Sequence, residues 1–163
     1  MSTTDNLKAA FAGESQANRK YLAYAKKAEA EGYQQVAKLF RAVAMAETVH
    51  AHNHFGIMDG VGTTKDNLLA ALNGETYEFT KMYPGFIREA EKEGLKRANW
   101  SFDMANKVEQ IHATLFEQAI REMPRDAAAD YFVCSVCGNT VHGEPPDNCP
   151  ICGALKDKFM RVD

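Results

Sequence analysis

Two four-residue steps, Glu47-Thr48-Val49-His50 and Glu109-Gln110-Ile111-His112, carry residue types that bind metal ions. In each, a carboxylate and an imidazole stand three residues apart, which on a helix puts both side chains on one face about one turn apart. One such pair arises by chance on many surface helices, but the contexts of these two match. Shifting the first half of the chain by 62 residues lays Glu31, Gly32, Phe40, Glu47 and His50 on Glu93, Gly94, Phe102, Glu109 and His112. Nearer the N-terminus, the run Asp5 to Glu14 matches Asp66 to Glu75 at an offset of 61, and one residue inserted near the hairpin turn is the expected source of the difference.

The repeat makes Glu14 and Glu75 counterparts. One carboxylate from each of two helices, with a Glu-x-x-His step from each of two others, is the recurring ligand set of di-metal carboxylate bundles. Paired divalent cations need bridging anions, which carboxylates supply, and imidazoles cap each metal on its outer side. The solvated-face alternative explains any one of these glutamates but not six residues in register: Glu14, Glu47, His50, Glu75, Glu109 and His112. Glu78 is a seventh donor without a mate, since the first repeat has Ala17 there. A symmetric site does not need it, which suggests a metal that changes donors with oxidation state.

Cysteine supplies the second constellation. Cys134-Ser135-Val136-Cys137-Gly138 and Cys149-Pro150-Ile151-Cys152-Gly153 form two Cys-x-x-Cys-Gly knuckles separated by 11 residues. Four thiolates so arranged close a tetrahedral site, and the spacing accepts either zinc or iron. All four cysteines lie in this cluster, which reads as metal binding in a reducing compartment rather than as a disulfide framework.

The elements that must position these groups follow from pattern. Capping candidates at Thr3 to Asn6 and again at Thr63 to Asp66 open helical runs, and Gly32, Gly62 and Gly94 punctuate them. Four long helices are expected, the third reaching Glu93 with a kink at Pro84. Two repeated hairpins make a four-helix bundle. Met45, Met82 and Met104 read as core filler, His52 and His54 as surface or supporting histidines, and His142 as exposed. The domains expected are a bundle over 1–123, a linker over 124–130 and a four-cysteine domain over 131–163, whose 33 residues are too few to fold without a metal. The 163-residue chain has a net charge of −3 and no long basic run, which argues against nucleic-acid and membrane partners. No secretory or membrane-spanning pattern is evident, so a cytoplasmic location is expected.

These residues resemble the rubrerythrins over nearly the whole chain. The resemblance covers Phe11-Ala12-Gly13-Glu14-Ser15-Gln16-Ala17, both Glu-x-x-His steps, the Glu75-x-x-Glu78-x-x-x-Met82-Tyr83-Pro84 run, and the tail, which is similar to a rubredoxin-like domain. It implies a mostly α, ferritin-like four-helix bundle with a small C-terminal β domain, two irons at the carboxylate–histidine site and one iron held by Cys134, Cys137, Cys149 and Cys152. It further implies that Glu78 and His50 exchange on one iron with redox state, and that Tyr21 and Tyr83 lie beside the site.

The leading functional expectation is a peroxidase that reduces hydrogen peroxide to water. Its electrons would come from NAD(P)H through a separate reductase or rubredoxin and pass through the four-cysteine iron. Iron oxidation and storage with a structural zinc tail is the competing expectation, and a zinc-bound binding module a third. Helical rise places Arg121 roughly 18 Å along its helix from Glu109. Unless the tail folds back, its metal would therefore lie far from the di-iron site of its own chain, and a homodimer passing electrons between subunits is expected.

Overall fold

The structure is a computed structural model that describes residues 2–123, 128 and 130–162, so most of the expected linker, 124–130, falls outside the described residues. Two compact units make up the chain, Met1–Gly62 and Thr63–Asp163.

The first unit is a helical hairpin of α1, Thr3–Ala30, and α2, Gln34–Ile57. Its N-cap is Ser2, one residue before the expected candidates. The Ser2 hydroxyl accepts from the Asp5 amide while the Asp5 carboxylate accepts from the Ser2 amide, which satisfies two donors that the first turn leaves open. Gly32 reverses the chain at φ +85°, a backbone conformation that side chains disfavour. The seam is built from small residues: Ala25 and Ala28 of α1 and Ala37, Ala44 and Ala51 of α2 are buried. Across it, the Asn18 side-chain amide donates to the Ala44 carbonyl at 2.7 Å and to the Thr48 hydroxyl at 2.9 Å. Met45 is 73% exposed in this hairpin rather than part of a core as expected.

The second unit opens with α3, Thr64–Tyr77, capped by Thr63 and Asp66 as Ser2 and Asp5 cap α1. The expected unbroken helix to Glu93 is instead interrupted by a π-helical segment, Glu78–Met82, before α4 runs from Tyr83 to Lys92. The repeat explains the interruption. Three residues separate Ala17 from Tyr21, but four separate Glu78 from Tyr83. A π turn takes up one more residue than an α turn, and the Tyr83 amide bonds to the Glu78 carbonyl five residues back. The inserted residue therefore lies inside this helix, not near the hairpin turn. Pro84 follows at the start of α4, where its missing N–H costs little.

Past the insertion the two repeats realign. Tyr83 and Phe86 pack on Phe102 at ring distances of 6.3 and 5.5 Å, as Tyr21 and Tyr24 pack on Phe40 at 6.1 and 5.6 Å. Gly94 turns the chain at φ +69° into α5, Lys96–Glu122.

The tail forms a three-stranded antiparallel sheet in the order β2-β1-β3, with β1 at Tyr131–Cys134, β2 at Thr140–His142 and β3 at Phe159–Arg161. Tyr131 pairs with His142 on one side of the central strand, and Cys134 with Phe159 on the other. His142 is exposed, as expected. No helix among the described residues is long and apolar enough to cross a membrane.

Candidate metal centres

Among the described residues, three clusters bring metal-binding atoms within 4.8 Å of one another. Two are the repeat-related triads: Glu14, Glu47 and His50 in the first hairpin, and Glu75, Glu109 and His112 in the second. Each draws its lone carboxylate from the first helix of its hairpin and its Glu-x-x-His step from the second. His50 Nδ1 lies 2.9 Å from Glu47 Oε2. His112 Nδ1 lies 2.7 Å from Glu109 Oε2 and 3.6 Å from Glu75 Oε2.

Charge is crowded in the second hairpin's cluster. Burial, and then the neighbouring Glu109 charge, push the Glu75 carboxyl above the ordinary range, although His112 pulls the other way. Glu78 is raised by burial and then by the Glu75 charge. It falls outside the triad itself and starts the π-helical segment one turn beyond Glu75. Burial and the Glu109, Glu78 and Glu75 charges likewise hold the Tyr83 phenol in its protonated form. Carboxylates raised by burial and by a neighbouring charge, with imidazole nitrogens alongside, are a donor set suited to divalent metal.

The third cluster is Cys134, Cys137, Cys149 and Cys152, none of them in a disulfide. Sulfur separations are 3.8 Å for Cys134–Cys152 and 3.6 Å for Cys137–Cys149. A tetrahedron with metal–sulfur bonds of about 2.3 Å has edges of about 3.8 Å, so these thiols are spaced for one metal ion. Gly138 and Gly153 close the two knuckles at φ +82° and +77°. That conformation turns successive amides toward sulfur. Burial opposes ionisation at Cys149, but the amides of Cys152 and Ile151 outweigh it and bring this thiol down to about 7. Burial pushes Cys137 up. Of the two, Cys149 gives up its proton first. The Asn139 side chain, 2% exposed, adds an N–H donor 3.7 Å from Cys149 sulfur. Nothing in the sequence pattern singled out this residue.

Sequence reasoning also missed where the tail docks. Rather than standing off the end of α5, the four-cysteine domain folds back along it. The Thr140 hydroxyl of β2 lies 3.0 Å from His112 Nε2, and Gly138 of the first knuckle abuts the Val108 side chain. This overturns the expectation of a tail metal remote from the second hairpin's own triad, because that estimate placed the tail along the extended helix axis. Tyr21 and Tyr83 sit in the aromatic clusters of their hairpins, and both are half-buried.

Comparison with known proteins agrees with this arrangement. The family model described as rubrerythrin matches residues 5–120, and the one described as the rubredoxin-like domain of rubrerythrin matches residues 132–160. Rubrerythrin-2 of Clostridium acetobutylicum is 37% identical, over 97% of this chain and 95% of its own. Nigerythrin of Nitratidesulfovibrio vulgaris is 38% identical, over 97% and 85%. Among solved structures, a partially reduced state of nigerythrin matches with a TM-score of 0.62 at 36% identity, covering 99% of this chain and 87% of that one. The fold class is thus the one expected, mostly α and ferritin-like with a small rubredoxin-like C-terminal domain. The cofactors are those of that class, a di-iron site and a four-cysteine iron.

Proposed function

The chain belongs to the rubrerythrin family, and from that premise we propose that it is a di-iron peroxidase reducing hydrogen peroxide to water. The observation that carries this reading is the pairing of two carboxylate–histidine triads with a four-thiolate cluster whose domain reaches His112. A redox-inert staple would have no reason to dock there.

In this reading Glu14, Glu47, His50, Glu75, Glu109 and His112 hold the iron pair, with Glu78 as the additional donor that exchanges with His50. Cys134, Cys137, Cys149 and Cys152 hold the single iron. When bound, the iron pair supplies two electrons to the O–O bond of peroxide, and two protons complete two waters. The protein's part is to deliver those protons and to hold the donors in place. Glu78, pushed up by burial and by Glu75, retains a proton at its carboxyl closer to neutral pH than an ordinary glutamate. Tyr83 keeps its phenolic proton for the same electrostatic reasons, and Tyr21 is its counterpart in the first hairpin.

Electrons would enter from NAD(P)H through a separate reductase or rubredoxin, one at a time at the cysteine iron. The working unit is proposed to be a cytoplasmic homodimer or higher homo-oligomer. Exposed Leu39, Met45, Val49 and Ile57 on the first hairpin support assembly. The test is anaerobic reduction of iron-loaded protein followed by stoichiometric peroxide, with both iron chromophores followed. Oxidation of one di-iron site per peroxide, then refilling at the expense of the cysteine iron, is expected. Peroxide consumption without bleaching and return of the cysteine-iron colour would overturn the relay.

A further inference from the structure

Duplication makes His50 and His112 equivalent in sequence, but their surroundings differ. Both rings face a glutamate through Nδ1. Among the described residues, His112 has a protein partner at its other nitrogen, the Thr140 hydroxyl at 3.0 Å, and His50 has none. Among the described residues, the recorded partner of the His50 ring is Glu47 alone, and its side chain is 54% exposed against 25% for His112.

The hydrogen on the Thr140 contact follows from its second partner. Thr140 Oγ1 also lies 3.1 Å from the Gly138 carbonyl, which can only accept. The single hydroxyl proton goes to that carbonyl, so the oxygen accepts from His112, and Nε2 carries hydrogen. Nδ1 then faces Glu109 Oε2 at 2.7 Å and Glu75 Oε2 at 3.6 Å, the side on which a metal held by those carboxylates would bind. An imidazole held by its remote N–H is fixed in tautomer and in ring orientation.

We propose that Thr140 is a positioning residue which locks His112 with Nε2–H outward and Nδ1 toward the metal, so that the cysteine domain immobilises one of two duplicated histidines. His50 has no such lock. In the di-iron reading on which this rests, ligand exchange is confined to the His50 side because only that ring can swing away without breaking a second bond. Gly138, the other partner of Thr140, belongs to the Cys134–Cys137 knuckle, so occupancy of the cysteine site and the orientation of His112 are mechanically joined.

The test uses the full-length protein with zinc, a diamagnetic probe, keeping the cysteine site saturated. Long-range proton–nitrogen NMR is expected to show zinc on His112 Nδ1, with a slowly exchanging Nε2–H. On His50, the Nε2–H should exchange rapidly. Thr140→Val should speed exchange of the His112 Nε2–H at least about 10-fold and weaken zinc at the carboxylate–histidine site by about 10-fold. Thr140→Ser should restore both, and the cobalt–thiolate absorption of the cysteine site should stay unchanged in either variant. Unaltered exchange in Thr140→Val, or zinc on His112 Nε2, overturns the proposal. If zinc never enters the triads yet the Nε2–H is still protected by Thr140, the lock stands and the di-iron reading falls.

Discussion

At the scale of single residues, two side chains with no counterpart in the repeat carry the asymmetry of the chemistry. Glu78 stands where the first repeat has alanine, in the first position of the π-helical segment and outside the triad. In the proposed reading it is dispensable for assembling the metal site but not for working it. Glu78→Ala is expected to retain two irons per carboxylate site while turnover with peroxide falls by about 10-fold or more, the scale of a lost proton donor. Loss of one iron as complete as in Glu47→Ala, measured by metal analysis, would show it to be a structural ligand. Asn139 is the other. Its buried amide points an N–H at Cys149 sulfur, a contact that favours the more negatively charged, reduced state of a thiolate iron site. Asn139→Leu should lower the reduction potential of the cysteine iron. A differential of about 1 kcal/mol corresponds to about 40 mV for one electron, within reach of spectroelectrochemistry. An unchanged or raised potential would mean that backbone amides alone set it.

At the scale of elements, the π-helical segment is an insertion that the fold absorbed without losing the repeat on either side. Glu75 aligns with Glu14 before it, and Tyr83, Phe86 and Phe102 align with Tyr21, Tyr24 and Phe40 after it. Deleting Thr80 should return the segment to an α-helix with the period of the first hairpin. The variant is expected to fold with an unchanged or higher melting temperature, since a π turn is less favourable than an α turn. Turnover should fall, because Glu78 and Tyr83 lose their relative placement. Unfolding on deletion would show that the extra residue is needed for the fold itself. At the start of the same helix, Thr63 caps α3 reciprocally with Asp66. Thr63→Ala should cost about 1 kcal/mol and lower the melting temperature by about 3 °C. The shift from 61 to 62 was already visible in the sequence, but its position was not. The matched glutamates bracket some seventeen residues, and only the aromatic packing shows that Tyr21 pairs with Tyr83 and so confines the insertion to 79–82.

At the scale of the whole molecule, the candidate metal-binding residues were legible and the docking of the tail was not. Glu-x-x-His and Cys-x-x-Cys-Gly are local spacings that a helix or a knuckle converts directly into geometry, so the residues of these clusters could be named in advance, the two triads as a single six-residue set. The contact between Thr140 and His112 joins residues 28 apart on a strand and a helix, a separation that no local spacing encodes. The same distinction separates what each unit holds by itself from what metal adds to it. Glu75 and Glu78 have carboxyls raised above the ordinary value of 4.5 by burial and then by a neighbouring charge, that of Glu109 for Glu75 and that of Glu75 for Glu78. For a carboxyl raised in the folded state, protonation favours folding. That contribution is fully present below pH 4.5 and is lost as pH climbs through the raised values. Metal-free protein should therefore become less stable between pH 4.5 and neutrality. Metal binding displaces those protons, so its stabilising effect should grow over the same interval. Melting temperatures of chelator-treated and zinc-loaded protein, followed across that range, are expected to diverge as pH rises. Glu75→Gln removes one of the repelling charges and should flatten the decline in the metal-free protein while weakening the response to zinc. Parallel curves for the two forms, or an undiminished decline in Glu75→Gln, would place the pH dependence outside the carboxylate cluster.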